Sequence, residues 1–241
     1  MTWDIFCDFD GTVALEDVVD SLLERFAPPA WREIDQDWKL GRIGSRECLA
    51  QQVPLLNMSR AELDRHLDQL SLDAEFAAFV QEARAQGHRL TLVSDGADYA
   101  IQRILSRHGL TDIPILSNVL HQRGERAWQL GFSHFQEKCS TGTGPCLCGR
   151  SKRNPREPAG GRPCLLIGAG ASDCCVAQWA DFVFAKKGLM GHCALRGLPY
   201  QAIQGFADAR GLLPGLAQRL PSGFQPAAPP LLRGVGGASC G

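Results

Sequence analysis

This chain lacks a surplus of charge of either sign: its 241 residues sum to a formal −1, with charged side chains at 21%. It has no basic stripe with interleaved aromatics, the pattern that tracks a nucleic-acid backbone, and no acidic tail. No apolar run is long enough to cross a bilayer, and the N-terminus enters an apolar strand without a charged-then-apolar leader. A cytoplasmic protein with no nucleic-acid or membrane partner is therefore expected. A disulfide framework is also missing, although the chain has 10 cysteines. Cys7 and Cys164 fall in apolar strands and Cys174-Cys175 opens a helix, where thiols serve as small hydrophobes, and the chain is too large for the disulfide-dense class. Cys139, Cys146 and Cys148 share a glycine-rich loop and could form a zinc site with His134. Their spacing matches no standard Cys-x-x-Cys pair, so reduced loop thiols are the expectation.

What is present suits one α/β core with a small accessory domain. Trp3-Asp4-Ile5-Phe6-Cys7 is short and mostly apolar, which predicts a buried strand. From Val13 to about Ser71 the pattern turns helical. Val18, Val19, Leu22, Leu23 and Phe26 share a face over 16–26, Pro28-Pro29 breaks that helix, and further helices are predicted over 31–40 and 45–56. Ser59-Arg60-Ala61-Glu62 is a capping-box pattern opening a fourth. A helix over 73–86 carrying Phe76, Phe79, Val80 and Ala83 returns the chain to the core. Strands follow at 89–93 and near 113–116, 128–130, 165–167 and 182–184. From Pro221 onward Pro, Gly and Ala dominate without periodicity, so 221–241 reads as a disordered tail.

The chemistry gathers where strands end. Asp8-Phe9-Asp10-Gly11-Thr12 sets a pair of carboxylates at the exit of the first strand, and in an open α/β sheet ligands collect at the carboxyl ends of strands. One carboxylate there can attack phosphorus while the other moves protons. The alternative is an acidic turn whose aspartates only cap and bend the chain. Arg89 to Val93 runs into Ser94-Asp95-Gly96 before a helix predicted over 97–108. The Ser94 hydroxyl and nearby backbone N–H groups could hold a phosphoryl oxygen there. Pro163 to Ile167 is another buried strand; it runs into Gly168-Ala169-Gly170-Ala171-Ser172-Asp173 and a helix over 174–179.

These motifs resemble those of the haloacid dehalogenase superfamily, in which Asp-x-Asp-Gly-Thr follows the first core strand. The resemblance implies a three-layer Rossmannoid parallel-sheet core (1–14 and 72–220) with an inserted small helical cap (15–71). It implies that Asp8 is a nucleophile that becomes an aspartyl-phosphate, that Asp10 is the general acid/base, and that Ser94 and a lysine are catalytic partners. Lys152 is the preferred lysine and Lys138 its competitor. Thr12, Asp17 and Gly96 are the expected substrate contacts. Magnesium is the implied cofactor, held by Asp8, Asp10 through its carbonyl, and Asp173.

One departure stands out. The family pattern after the last motif strand is Gly-Asp-x-x-x-Asp, and Ala169 occupies the place of the first acid. A methyl cannot coordinate a hard cation that needs oxygen ligands. Three accounts are open: an inactivating substitution, decay to a phosphate-binding protein without turnover, or a site in which Asp173 shifts to the metal.

Within the superfamily the resemblance is to the phosphoserine-phosphatase-like branch, and most of all to its methionine-salvage phosphatase group. Phe26-Ala27-Pro28-Pro29-Ala30-Trp31, the cysteine-rich loop and Asp17 carry that likeness. A small phosphorylated metabolite is the implied partner. Phosphoserine is the runner-up. Its phosphatases place an Arg before a Val-x-Leu-Leu run, where this chain has Gln52 before Val53-Pro54-Leu55-Leu56, and a neutral amide cannot make the bidentate clamp on a carboxylate. Arg42 and Arg46 are the candidates to replace it.

Overall fold

The computed structural model describes residues 1–133 and 161–219. Lys138, Lys152, the Cys139/Cys146/Cys148 loop with His134, and the expected tail lie outside the described residues.

Among the described residues, short apolar runs build a seven-stranded sheet: β1 (Asp4–Cys7), β2 (Arg89–Ala97), β3 (Ile115–Gln122), β4 (Trp128–Gly131), β5 (Cys164–Gly168), β6 (Phe182–Ala185) and β7 (Tyr200–Ala202). Their order is β4-β3-β2-β1-β5-β6-β7. Every neighbouring pair is parallel except β3–β4, which is antiparallel at the edge. Every residue of β5 and β6 is buried, so these strands read as continuous apolar runs without alternation, as strands covered on both faces do. The chain builds outward from β1 through β2 and β3, then restarts on the other side at β5. The reversal puts a crevice at the carboxyl end of β1.

The helices between residues 15 and 71 are α1 (Val18–Phe26), α2 (Trp31–Lys39), α3 (Ser45–Gln52), which tightens into a 3-10 turn over Val53–Leu55, and α4 (Arg60–Leu67). The capping box forms as its pattern predicts: Ser59 Oγ accepts from Glu62 N at 3.3 Å, and Glu62 Oε2 accepts from Ser59 N at 2.8 Å. The chain leaves and re-enters the sheet side by side, with Ala14 bridged to Leu72 and Leu15 N donating to Ser71 O at 3.0 Å. On one flank α4 and the turn before it are fastened to the core. Arg103 holds Asp68 at 2.8 Å, Tyr99 OH donates to Asp64, and Trp128 Nε1 donates to Met58 O at 2.8 Å.

The remaining helices cover the sheet. They are α5 (Phe76–Ala85), α6 (Asp98–Ser106), α7 (Cys174–Ala177), α8 (Lys187–Arg196) and α9 (Phe206–Leu212). On one face Phe76 meets Phe206 edge-on with ring centroids 4.8 Å apart. On the other, Leu189 and Cys193 of α8 pack with Leu166, Val176 and Val183.

Two differences from the sequence expectation bear on the site. Ser94-Asp95-Gly96, expected just beyond a strand over 89–93, belongs to β2. The ladder to β3 jumps there, from Val93↔Leu116 to Ala97↔Asn118, so the strand bulges and re-aims these side chains. In addition α8, β7 and α9 follow β6, where no element was expected.

Candidate active site

The end of β1 is tied into the sheet: Asp8 N donates to Ile167 O at 2.9 Å. Gly11 then turns the chain at φ +67°, a conformation that favours glycine. Asp8 is 4% exposed, and its Oδ2 accepts from the hydroxyl of fully buried Thr12 at 3.1 Å. Asp10 is held from both sides: Oδ1 accepts from Val18 N, at the start of α1, and Oδ2 from Ser94 Oγ, each at 2.9 Å. Ser94 Oγ in turn accepts from Gly96 N at 2.9 Å. Burial, and after it the charges of Asp17 and Asp8, raise the Asp10 carboxyl well above the usual carboxylate range. Asp10 is thereby biased toward its protonated form, the state a general acid needs.

Glycine at position 96 makes this closeness possible. A Cβ there would lie 2.8 Å from Asp10 Oδ2 and 3.0 Å from Ser94 Oγ. Gly96→Ala is expected to push Asp10 off its partners and cut turnover about 100-fold, the cost of a small misplacement at a reacting centre. Steady-state kinetics beside a melting curve checks this. Full activity in a folded variant would show that the Asp10–Ser94 contact is dispensable.

At the end of β5, Asp173 is fully buried under the turn that follows the strand. Its Oδ2 accepts from Ala169 N at 3.0 Å and Gly170 N at 3.1 Å. A Cβ at Gly168 would come within 2.5 Å of the same oxygen, so this turn closes over the acid only because residue 168 has no side chain. Ala169 lines the cavity above. Asp8 and the Asp10 carbonyl offer oxygen donors, but the methyl of Ala169 offers none and Asp173 spends an oxygen on backbone amides. No group of three His, Cys, Asp or Glu side chains able to hold a metal occurs among the described residues. Magnesium commonly uses one or two carboxylates with water and substrate phosphate, so Asp8 and the Asp10 carbonyl could hold it, with one oxygen donor missing at position 169.

A cavity of about 260 Å³ opens over the carboxylates, with Asp8, Asp10, Gly96 and Ala169 below and Asp17, Asp20, Asp35, Trp38 and Gln52 from the inserted helices above. Of the sequence-predicted residues, Asp8, Asp10, Asp17 and Gly96 reach it. Ser94 and Thr12 stand behind them, gripping Asp10 and Asp8, and Asp173 lies beneath the β5 turn. Asp17 also caps α1, accepting from Asp20 N at 3.0 Å. Gln52 is buried and donates to Trp31 O at 3.4 Å. Arg42 and Arg46 do not line the cavity: Arg42 pairs with Asp37 at 2.8 Å, and Arg46 lies over the Phe132 ring at 5.4 Å.

Sequence reasoning missed several residues that the fold brings here. Ser45 Oγ of α3 donates to Asp95 Oδ2 of β2 at 2.7 Å, joining an inserted helix to the sheet. Lys186 is buried, with its Nζ on Thr12 O at 3.1 Å, and burial lowers its pKa. Lys187 lines the cavity. The available signal was position: both lysines follow an apolar strand, at the end of the sheet where ligands gather.

Comparison with known proteins identifies the family. The haloacid dehalogenase-like hydrolase family matches residues 5–178. A 2-hydroxy-3-keto-5-methylthiopentenyl-1-phosphate phosphatase of Geobacillus kaustophilus is 31% identical over 208 residues, covering 85% of this chain and 92% of the relative. One of the same name from Brevibacillus brevis is 28% identical, covering 90% and 97%. A substrate-bound phosphoserine phosphatase structure superposes with a TM-score of 0.63 at 17% identity, over 89% of this chain and 98% of the other. The chain belongs to the haloacid dehalogenase-like hydrolases and, within them, to the phosphatases.

Proposed function

We propose that the protein hydrolyses a small phosphate monoester through an aspartyl-phosphate on Asp8, with residues 15–71 as a cap over a core formed by 1–14 and 72–220. The observation that carries this reading is the juxtaposition of Asp8 and Asp10 at the floor of one cavity, each anchored by a buried hydroxyl. In the first step an Asp8 oxygen attacks phosphorus, the bond to the leaving oxygen breaks, and Asp10 gives that oxygen its proton. In the second, Asp10 takes a proton from water, whose oxygen attacks phosphorus; the acyl-phosphate bond breaks, releasing phosphate and restoring Asp8. The upward-shifted pKa of Asp10 favours its first role. Ser94 holds it in place. The lysine assigned by family resemblance, Lys152 or Lys138, lies outside the described residues. Ala169 leaves any magnesium bound beside Asp8 one oxygen donor short, which lowers affinity for the metal.

For the substrate we infer the hydroxy-keto phosphate class named in the relatives, over phosphoserine. The phosphoserine phosphatases are similar here in fold alone, and the cavity presents Asp17, Asp20, Asp35 and Asp95 where a substrate carboxylate would need a cation. Gln52 is turned to a backbone carbonyl. A cytoplasmic setting, expected from the sequence, is kept as part of this proposal; no helix among the described residues is long and apolar enough to cross a membrane.

The test is acid-quenched detection of a phosphoenzyme, together with kcat/KM for 2-hydroxy-3-keto-5-methylthiopentenyl-1-phosphate and for phosphoserine. Phosphoenzyme and a higher kcat/KM for the former are expected. Binding of both esters with no phosphate released at saturating magnesium would favour a binding protein that has lost turnover.

A further inference from the structure

The geometry points to Lys187 as a phosphoryl-binding cation of this site, beside the lysine assigned by family resemblance and next to the turn in which Ala169 offers a metal no oxygen. This inference rests on the hydrolase reading above.

Three observations converge on it. The first is charge. A phosphate ester entering the cavity brings a dianion to a surface that includes Asp8, Asp10, Asp17, Asp20 and Asp95. Among the described residues that line it, Lys187 is the one cation. Some positive group must offset the anion for it to sit within reach of Asp8.

The second is reach. A Cβ built on Gly11 would lie 3.2 Å from Lys187 Nζ, so the ammonium rests against the loop between the carboxylates and Thr12. The segment carrying it is pinned to the turn that bears Ala169: Lys186 N donates to Gly168 O at 2.9 Å and Leu189 N to Ala169 O at 3.3 Å. The amine therefore enters from a segment hydrogen-bonded to the turn that lacks the carboxylate.

The third is backbone conformation. Lys187 has φ +46° and is the one non-glycine residue with positive φ among those described. Neighbouring side chains on an extended chain point to opposite sides. Here the left-handed residue lets both lysines address the same loop, Lys186 through Thr12 O and Lys187 against Gly11. An unfavourable conformation kept at a site calls for a function that repays it.

The conformation also supplies the test. Glycine tolerates this φ, so Lys187→Gly removes the ammonium without strain, whereas Lys187→Ala removes it and keeps the strain. Calorimetric titration with inorganic phosphate, and competition by phosphate against p-nitrophenyl phosphate hydrolysis, should show affinity in Lys187→Gly weakened about tenfold or more, the loss of one charge-assisted hydrogen bond. Its melting temperature should equal or exceed the parent's, and Lys187→Arg should recover part of the affinity. A parent that hydrolyses the ester beside a Lys187→Gly variant with unchanged phosphate affinity overturns the Lys187 assignment alone. A parent that neither hydrolyses the ester nor binds phosphate overturns the hydrolase reading and this one with it.

Discussion

Asp8→Asn should lose phosphate release by a factor on the order of 10⁴–10⁶, the scale seen when a covalent nucleophile is removed, and should form no phosphoenzyme. The exchange is nearly isosteric. The amide can keep an oxygen on the Thr12 hydroxyl, which now donates to Asp8 Oδ2 at 3.1 Å, so the loop should hold its shape. What disappears is the anionic oxygen that attacks phosphorus. The burial of Asp8 limits replacement by water acting directly from solvent. Rapid acid quench with a labelled ester, on parent and variant, reads the intermediate itself. Undiminished turnover in Asp8→Asn, or a labelled protein in that variant, would remove Asp8 from the mechanism.

The other large effect is expected at Ala169. Ala169→Asp should raise magnesium affinity about 10–100-fold, at least the range that loss of a supporting partner costs a metal site, and should lower the magnesium concentration needed for turnover. The position lines the cavity together with Asp8, on a backbone already fixed by Asp173 through the amides of residues 169 and 170. A carboxylate there adds a hard oxygen donor and a negative charge to a preformed turn. Magnesium-dependent stabilisation against heat reads binding without any need for catalysis, because a ligand that prefers the folded state raises the melting point. No gain in either binding or activation would mean that the substitution at Ala169 is not what limits the metal.

The parts of this protein most legible in its sequence are those governed by local rules. The apolar run before Asp8 is a strand because it is short, apolar and followed by a glycine turn. The Ser59/Glu62 box forms because both partners lie within a single turn. The acids of the first motif stand two residues apart, so their nearness is local in origin. The parts not legible depend on distant pairing. Ser94 and Gly96 reach Asp10 only because β2 bulges against β3, and nothing in Ser94-Asp95-Gly96 distinguishes a bulge from a turn. Asp20 and Asp35 belong to different helices and share a wall only once those helices lie over the sheet. Lys186-Lys187 has the composition of a solvated loop. That one lysine is buried and the other left-handed is decided by the strand before them and the turn at Gly168 and Ala169 beside them. Arg42 and Arg46 were plausible by spacing, yet each is drawn to a nearer partner, a carboxylate in one case and a ring in the other.

The tight fit between Gly168 and Asp173 also bears on how this site can change over generations. Because a side chain at 168 would collide with the Asp173 carboxylate, substitutions there are closed while that acid remains, and the acid keeps its place through the amides of the turn. These residues constrain one another, and Ala169 sits between them under no such lock. It can therefore vary without the turn coming apart. An alanine codon ending in a pyrimidine becomes an aspartate codon by one base change, so this turn could take an acid at 169 without being rebuilt.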